Sequence, residues 1–329
     1  MNFNRYVANV LVGKLSPDEG GRPYLIHSEH LEKTNHLTIA KLFNDSLSIL
    51  WPNGIKHDKV LLLVSDGAAY MIKAAKALKI LFVRLVHITC LAHALHLVCE
   101  VVRFQYPVVN SFVSTVKKIF KKSPKRMQMF KELCPKLPLP PSPICTRWGT
   151  WLRAVEYYAE HLHDMQRVIE ALEEDAESVK EAKRLLKNPE LTHGIAVIRQ
   201  NYTFIPNFIA KLERAKSPVS ENLTILKEVV DKLTSVPDEP VKAKMRSVLA
   251  KNQGLKAMSD VVSLNMEKIG KYEEFADMSP LELASFKYAP LVSCDIERSF
   301  SLYNVLLSQN RRSFIFENIR MHLIICYNN

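Results

Sequence analysis

The chain has 329 residues, 47% hydrophobic and 24% charged, the make-up of a folded globular protein, which excludes disorder over most of its length. Nine glycines are too few for a glycine-rich nucleotide fold or an all-β protein full of tight turns. Lys and Arg exceed Asp and Glu by 11, which points to an anionic partner, nucleic acid first. No run reaches the roughly 18 uninterrupted apolar residues of a membrane span, and the N-terminus lacks the parts of a signal peptide. The six cysteines are irregularly spaced and read as reduced thiols of an intracellular protein.

In chain order, YVANVLV (residues 6–12) predicts a strand, the Gly20-Gly21 and Pro23 region a turn, and residues 24–26 a short second strand. Apolar positions from Asn35 to Leu50 fit an amphipathic helix. KVLLLV (59–64) is a continuous apolar run, expected to be a strand buried on both faces. Asp66-Gly67 ends it, and 68–78 has helical composition. Residues 81–88 predict another buried strand and 91–102 another helix. This alternation indicates an α/β layer.

The composition then shifts. Residues 101–131 contain no acid, and KKIFKKSPKR (117–126) carries six positive charges. A proline-rich stretch with Pro135, Pro138, Pro140, Pro141 and Pro143 reads as an extended linker. From Trp151 an apolar stripe at helical spacing (Val155, Tyr158, Leu162, Met165, Ile169) opens a segment that is mostly helical to about 275. The tail forms two helices, the last apolar on more than one face, which calls for a second partner surface. The division expected is 1–150 for an α/β core, 151–280 for a helical insertion and 281–329 for the last core helix and a C-terminal dimerisation region.

Five groups of residues could carry chemistry. Asp66 ends a strand, where ligands of α/β sheets gather, and is either a metal ligand or base, or a turn residue capping the next helix. Glu297, in CDIERSF, is either a second metal ligand or a first-turn glutamate favoured by the helix dipole. Arg298 beside it is offered to phosphate. Cys90-x-x-His93 has the spacing of half a zinc site, or is core cysteine and histidine. Arg147-Trp148 suits a phosphate and a stacked base, or else Trp148 is a core residue opening a helix. Lys117, Lys118, Lys121, Lys122, Lys125 and Arg126 suit phosphate contact, or a nuclear import signal, or have no role beyond a solvated face.

The order SDGAAYMIKA, HITCLAHALHL, TRWGTW, a helical segment and IERSFSLYNVLLSQNRRSF resembles the hAT superfamily of cut-and-paste DNA transposases, in the branch related to the CGG triplet repeat-binding protein. The resemblance implies an RNase H-like core, a mixed sheet with helices, interrupted by a large helical insertion. It implies catalytic, metal-binding carboxylates at Asp66 and Glu297 holding Mg2+ or Mn2+, with two ions activating the attacking oxygen and stabilising the leaving one. It gives Cys90 and His93 as a motif of open role, Trp148 as a residue stacking on a flipped base, and the tail as a dimerisation region.

The departures are as informative. The family's first acidic residue lies on a strand before the one matched by YVANVLV. Only MNFNR precedes here, so that strand and carboxylate are expected to be missing, and no BED zinc finger is seen. The function expected is therefore a transposase-derived, nuclear protein that dimerises and binds DNA without completing the catalytic triad. The alternatives are an active metal-dependent transposase or nuclease with further sequence upstream, and a transposon remnant without a role.

Overall fold

The computed structural model describes residues 6–121, 123–143, 149–173, 176–263, 271–307 and 315–329. Helices dominate and two small sheets accompany them. The chain divides into two compact units, one of Met1–Ala94, Leu212–Leu226 and Val248–Asn329, the other of Leu95–Lys211 and Lys227–Ser247.

The first unit holds both sheets. Strand β1 (Tyr6–Val12) runs antiparallel to β2 (Tyr24–Leu31), with Tyr6 opposite Leu31 and Val12 opposite Tyr24. The turn joining them needs a glycine, since a Cβ on Gly21 would sit 2.5 Å from the Lys14 carbonyl oxygen. Helix α1 (His36–Leu50) starts at Asn35, whose side chain accepts from the amides of Leu37 and Thr38 while Thr38 Oγ1 accepts from the Asn35 amide. Such a reciprocal cap satisfies two donors that the first turn leaves open. Strand β3 (Leu62–Ser65), helix α2 (Ala69–Leu78) and strand β4 (Val86–Thr89) form a parallel βαβ unit, Leu62 opposite Val86. Leu47, Leu78, Phe82 and Leu85 close a core between α1 and α2.

Each sheet is sealed on one edge by an asparagine amide. Val86 and Cys90 donate to β3, so Thr89 points its peptide groups the other way. There Asn252 accepts from Thr89 N at 3.1 Å and donates to Thr89 O at 2.8 Å. Asn328 does the same for Leu25 on β2, at 2.9 and 3.0 Å. Each amide takes the place of a neighbouring strand at one residue, giving that residue's outward N–H and C=O the partners an edge strand otherwise lacks. Helix α12 (Gln253–Val262) lies along β4 so tightly that a Cβ on Gly254 would meet His87 O at 2.2 Å.

Beyond residue 271, α13 (Pro280–Ala284) leads to α14 (Cys294–Leu306), packed on β1, and α15 (Phe316–Asn328), packed on β2. Leu25, Leu306 and Leu323 form the core they share with Leu11.

The second unit is built from helices. It takes α3 (Leu91–Gln105) from Leu95 onward, then α4 (Pro107–Phe120) and α5 (Pro124–Leu133). The proline-rich residues 135–143 form neither helix nor strand, as expected of chain whose donors are removed. Helices α6 (Thr150–Ala171), α7 (Glu177–Leu186), α8 (Pro189–Tyr202) and α9 (Ile205–Leu212) follow, then α10 (Val219–Ser235) and α11 (Glu239–Lys251), of which residues 227–247 belong to this unit. Helix α4 packs on α7, α8 and α6. Its Phe112 meets Tyr158 of α6 edge-on, ring centres 5.2 Å apart.

Three expectations change. In place of one mixed sheet, the described residues form two separate strand pairs, because no described strand joins β1 to β3. Leu62, Leu63 and Val64 are half-buried, not buried on both faces, because β3 has a neighbour on one side only. The strand expected over 81–88 is confined to Val86–Thr89. Before it, a turn buries Phe82 and Leu85 and exposes Ile80, Leu81 and Val83.

The contact of α12 with β4 gives a test. Gly254→Ala is expected to lower stability by about 2 kcal/mol in urea unfolding, the range of overpacking a fixed backbone. A loss below about 0.5 kcal/mol, the scale of a neutral surface change, would mean that the two backbones are not held together.

Candidate functional site

Asp66 follows the last residue of β3, and Glu297 lies in the first turn of α14. Their meeting depends on the segment before α14. Leu91 N donates to Leu291 O at 3.0 Å, and Ser293 N donates to Cys90 Sγ at 3.2 Å. These two bonds fix the start of α14 at the carboxyl end of β4, beside that of β3. Partial burial pushes the Glu297 carboxyl above the usual glutamate range, and the negative charges of Asp66 and then Glu213 push it the same way. The residue as a whole remains exposed. Glu213, just past α9, is a third carboxylate whose charge reaches Glu297 and that the sequence did not single out.

Asp66 also does part of what the plainer reading required: it orders the turn, while the cap position of α2 falls to Ala68, which has no side-chain cap. Asp66 Oδ1 accepts from Ala68 N at 3.0 Å, ordering the approach to α2. Next to it Ser65 Oγ donates to the Asp66 carbonyl at 2.9 Å and lies 2.8 Å from His87 Nε2. A hydroxyl has one hydrogen, so with that hydrogen on Asp66 O the His87 Nε2 carries the proton of the second bond. Burial, reinforced by Lys79 and opposed by Asp66, lowers the His87 pKa to about 4, so the ring is neutral at pH 7.

Cys90 and His93 have different surroundings. Cys90 is 1% exposed, and burial raises its thiol pKa. Its sulfur accepts from the amides of His93 and Ser293. The structure thus gives Cys90 a positioning role, as the acceptor that holds the start of α14. His93 is half-buried one turn into α3. Among the described residues no three His, Cys, Asp or Glu side chains converge closely enough to hold a metal ion.

The basic run falls at the junction of α4 and α5. Lys118 and Lys121 are exposed. Lys117 donates to Pro143 O and Arg126 to Ile119 O. Lys125 lies 3.6 Å from Glu173, so an acid does face the run, through an exposed pair of little energetic weight. Arg298, offered to phosphate, bonds Asp295 at 2.6 Å within its own helix. Lys122, Arg147 and Trp148 lie outside the described residues.

No described helix is long and apolar enough to cross a membrane. Compared with known proteins, the chain matches no protein-family model and no curated protein.

The raised Glu297 pKa gives a pH-dependent prediction. Below the unfolded value of about 4.3 the carboxyl is protonated in both states and costs the fold nothing. Above the folded value it is ionised beside like charges, and the fold is weakened. Glu297→Gln should therefore raise the melting temperature by about 1 °C at pH 7 and leave it unchanged at pH 3.5. The same effect of the substitution at both pH values would show that neither burial nor like charge raises the Glu297 carboxyl.

Proposed function

We propose that the chain derives from a cut-and-paste DNA transposase of the hAT superfamily, with an RNase H-like core, and acts in the nucleus as a dimeric DNA-binding protein. The observation that supports this most is the meeting of Asp66 and Glu297, two acids far apart in sequence, at the ends of β3 and the start of α14. The same pair is what the motif order implies for such an enzyme. Lys118 and Lys121 supply exposed cations for phosphate. Helix α15 leaves Met321 and Ile325 at 50% and 59% exposure while Ile319 and Leu323 are buried. A helix apolar on both sides suits a second copy.

The tests separate the parts. Binding to duplex DNA should be saturable at 50 mM salt and weaken steeply with salt. Lys118→Glu with Lys121→Glu should flatten the slope of log K against log salt by about 2, since each phosphate contact contributes about 0.9. No binding at low salt would refute the nucleic-acid part. Light scattering should give a dimer at micromolar concentration and a monomer for Met321→Asp with Ile325→Asp; a monomeric wild type would refute dimerisation. Cleavage of terminal-repeat DNA with Mg2+ or Mn2+, lost in Glu297→Gln, would replace this reading by an active nuclease.

A further inference from the structure

The second unit contains a cavity of about 100 Å3, more than a water molecule fills, that the residues discussed for catalysis do not use. Its walls come from three elements. Helix α3 contributes Glu100 and Arg103, α4 contributes Asn110, Ser114 and Lys117, and the start of α6 contributes Trp151. Arg103 bonds Glu100, and both side chains are largely buried, at 17% and 24% exposure. Lys117 uses one of its hydrogens on Pro143 O, and an ammonium has three to give. The formal charge of the lining is two positive against one negative.

Helix α6 opens at this cavity without a side-chain cap. Its first turn follows Gly149, which has the left-handed φ of 69° and offers no capping oxygen. The positive end of α6, which is helical from Thr150 to a kink at His161, therefore meets the cavity wall. Trp151 is 8% exposed, and its indole N–H has no acceptor among the described residues. A buried donor left without an acceptor is unfavourable.

We propose that this cavity binds a phosphate group. The lining is mostly apolar, with Cys99, Val113 and Pro143 among its walls, and its polar part holds the donors of Arg103, Lys117 and Trp151 with one positive charge in excess, which suits a small anion that only accepts. The donors come from three elements on different sides, which a tetrahedral oxyanion satisfies better than a planar carboxylate. The bound oxygen supplies the Trp151 N–H with its acceptor, and Lys117 and the α6 N-terminus hold the charge. The phosphate is either inorganic or the terminal phosphate of a nucleic-acid strand, and the site stands independently of the transposase reading.

The test uses the full chain at constant ionic strength. Inorganic phosphate is titrated by calorimetry, with the Trp151 indole proton followed by NMR. Saturable binding with movement of that resonance is expected. Lys117→Gln should weaken it at least tenfold, the scale of one charge-assisted bond. Ser114→Phe, which fills the cavity from an exposed position, should abolish it. Lys180→Gln, the same charge change on exposed α7, should leave it within twofold. A 5′-phosphorylated oligonucleotide that binds better than its unphosphorylated twin, and loses that advantage in Lys117→Gln, assigns the site to a strand end; equal binding of the two assigns it to free phosphate. The proposal is overturned if phosphate binding is not saturable, or if folded Lys117→Gln binds as the wild type does. Should Ser114→Phe not fold, the comparison of Lys117→Gln with Lys180→Gln decides.

Discussion

The candidate site hangs on two backbone donors. Leu91 N–H to Leu291 O and Ser293 N–H to Cys90 Sγ join the end of β4 to the start of α14, across about two hundred residues of chain. Together with the packing of α12 on β4 and of α14 on β1, they return a long segment whose closure is otherwise unfavourable. With them, Glu297 lies one turn into a helix whose origin is fixed beside Asp66. Cys90 is in this sense a structural residue. Its burial and high thiol pKa make it a poor nucleophile, and its sulfur serves as an acceptor of amides.

The sheets obey a similar economy of polar groups. Asn252 and Asn328 each offer a donor and an acceptor to one residue of an outer strand. Each is a single side chain doing the work of a neighbouring strand, and each belongs to a segment far along the chain. The first unit is thus closed by its own C-terminal third: α12 seals β4, α14 packs on β1, and α15 seals β2. Stability of the strands and placement of Glu297 are consequences of the same returning segment.

Much of this was legible in the residues. YVANVLV gave β1 to the residue, Asn35 marked the start of α1, and the alternation of apolar runs with Ala-rich stretches gave the order of strands and helices. The misreadings share a cause. A continuous apolar run signals burial but not what covers it, so KVLLLV was expected to lie inside a sheet that the described residues do not complete. In the same way, 81–88 is apolar except for Arg84 and His87, although among residues 81–85 only Phe82 and Leu85 turn inward. Asp66 and Glu297 were legible through motif order. Glu213 was not, because Leu-Glu-Arg after a helix has no local signature and its meaning comes entirely from where the chain returns. The His87–Ser65 contact was likewise invisible, since it depends on the register of two parallel strands.

The central claim is that Glu297 lies close enough to Asp66 to feel its negative charge. Titration of the Glu297 side-chain carboxyl by NMR, in the wild-type chain and in Asp66→Asn, measures this directly. The account predicts a wild-type pKa above about 4.3, the ordinary glutamate value, that falls toward it when Asp66 loses its charge. The same pKa in both proteins would contradict it.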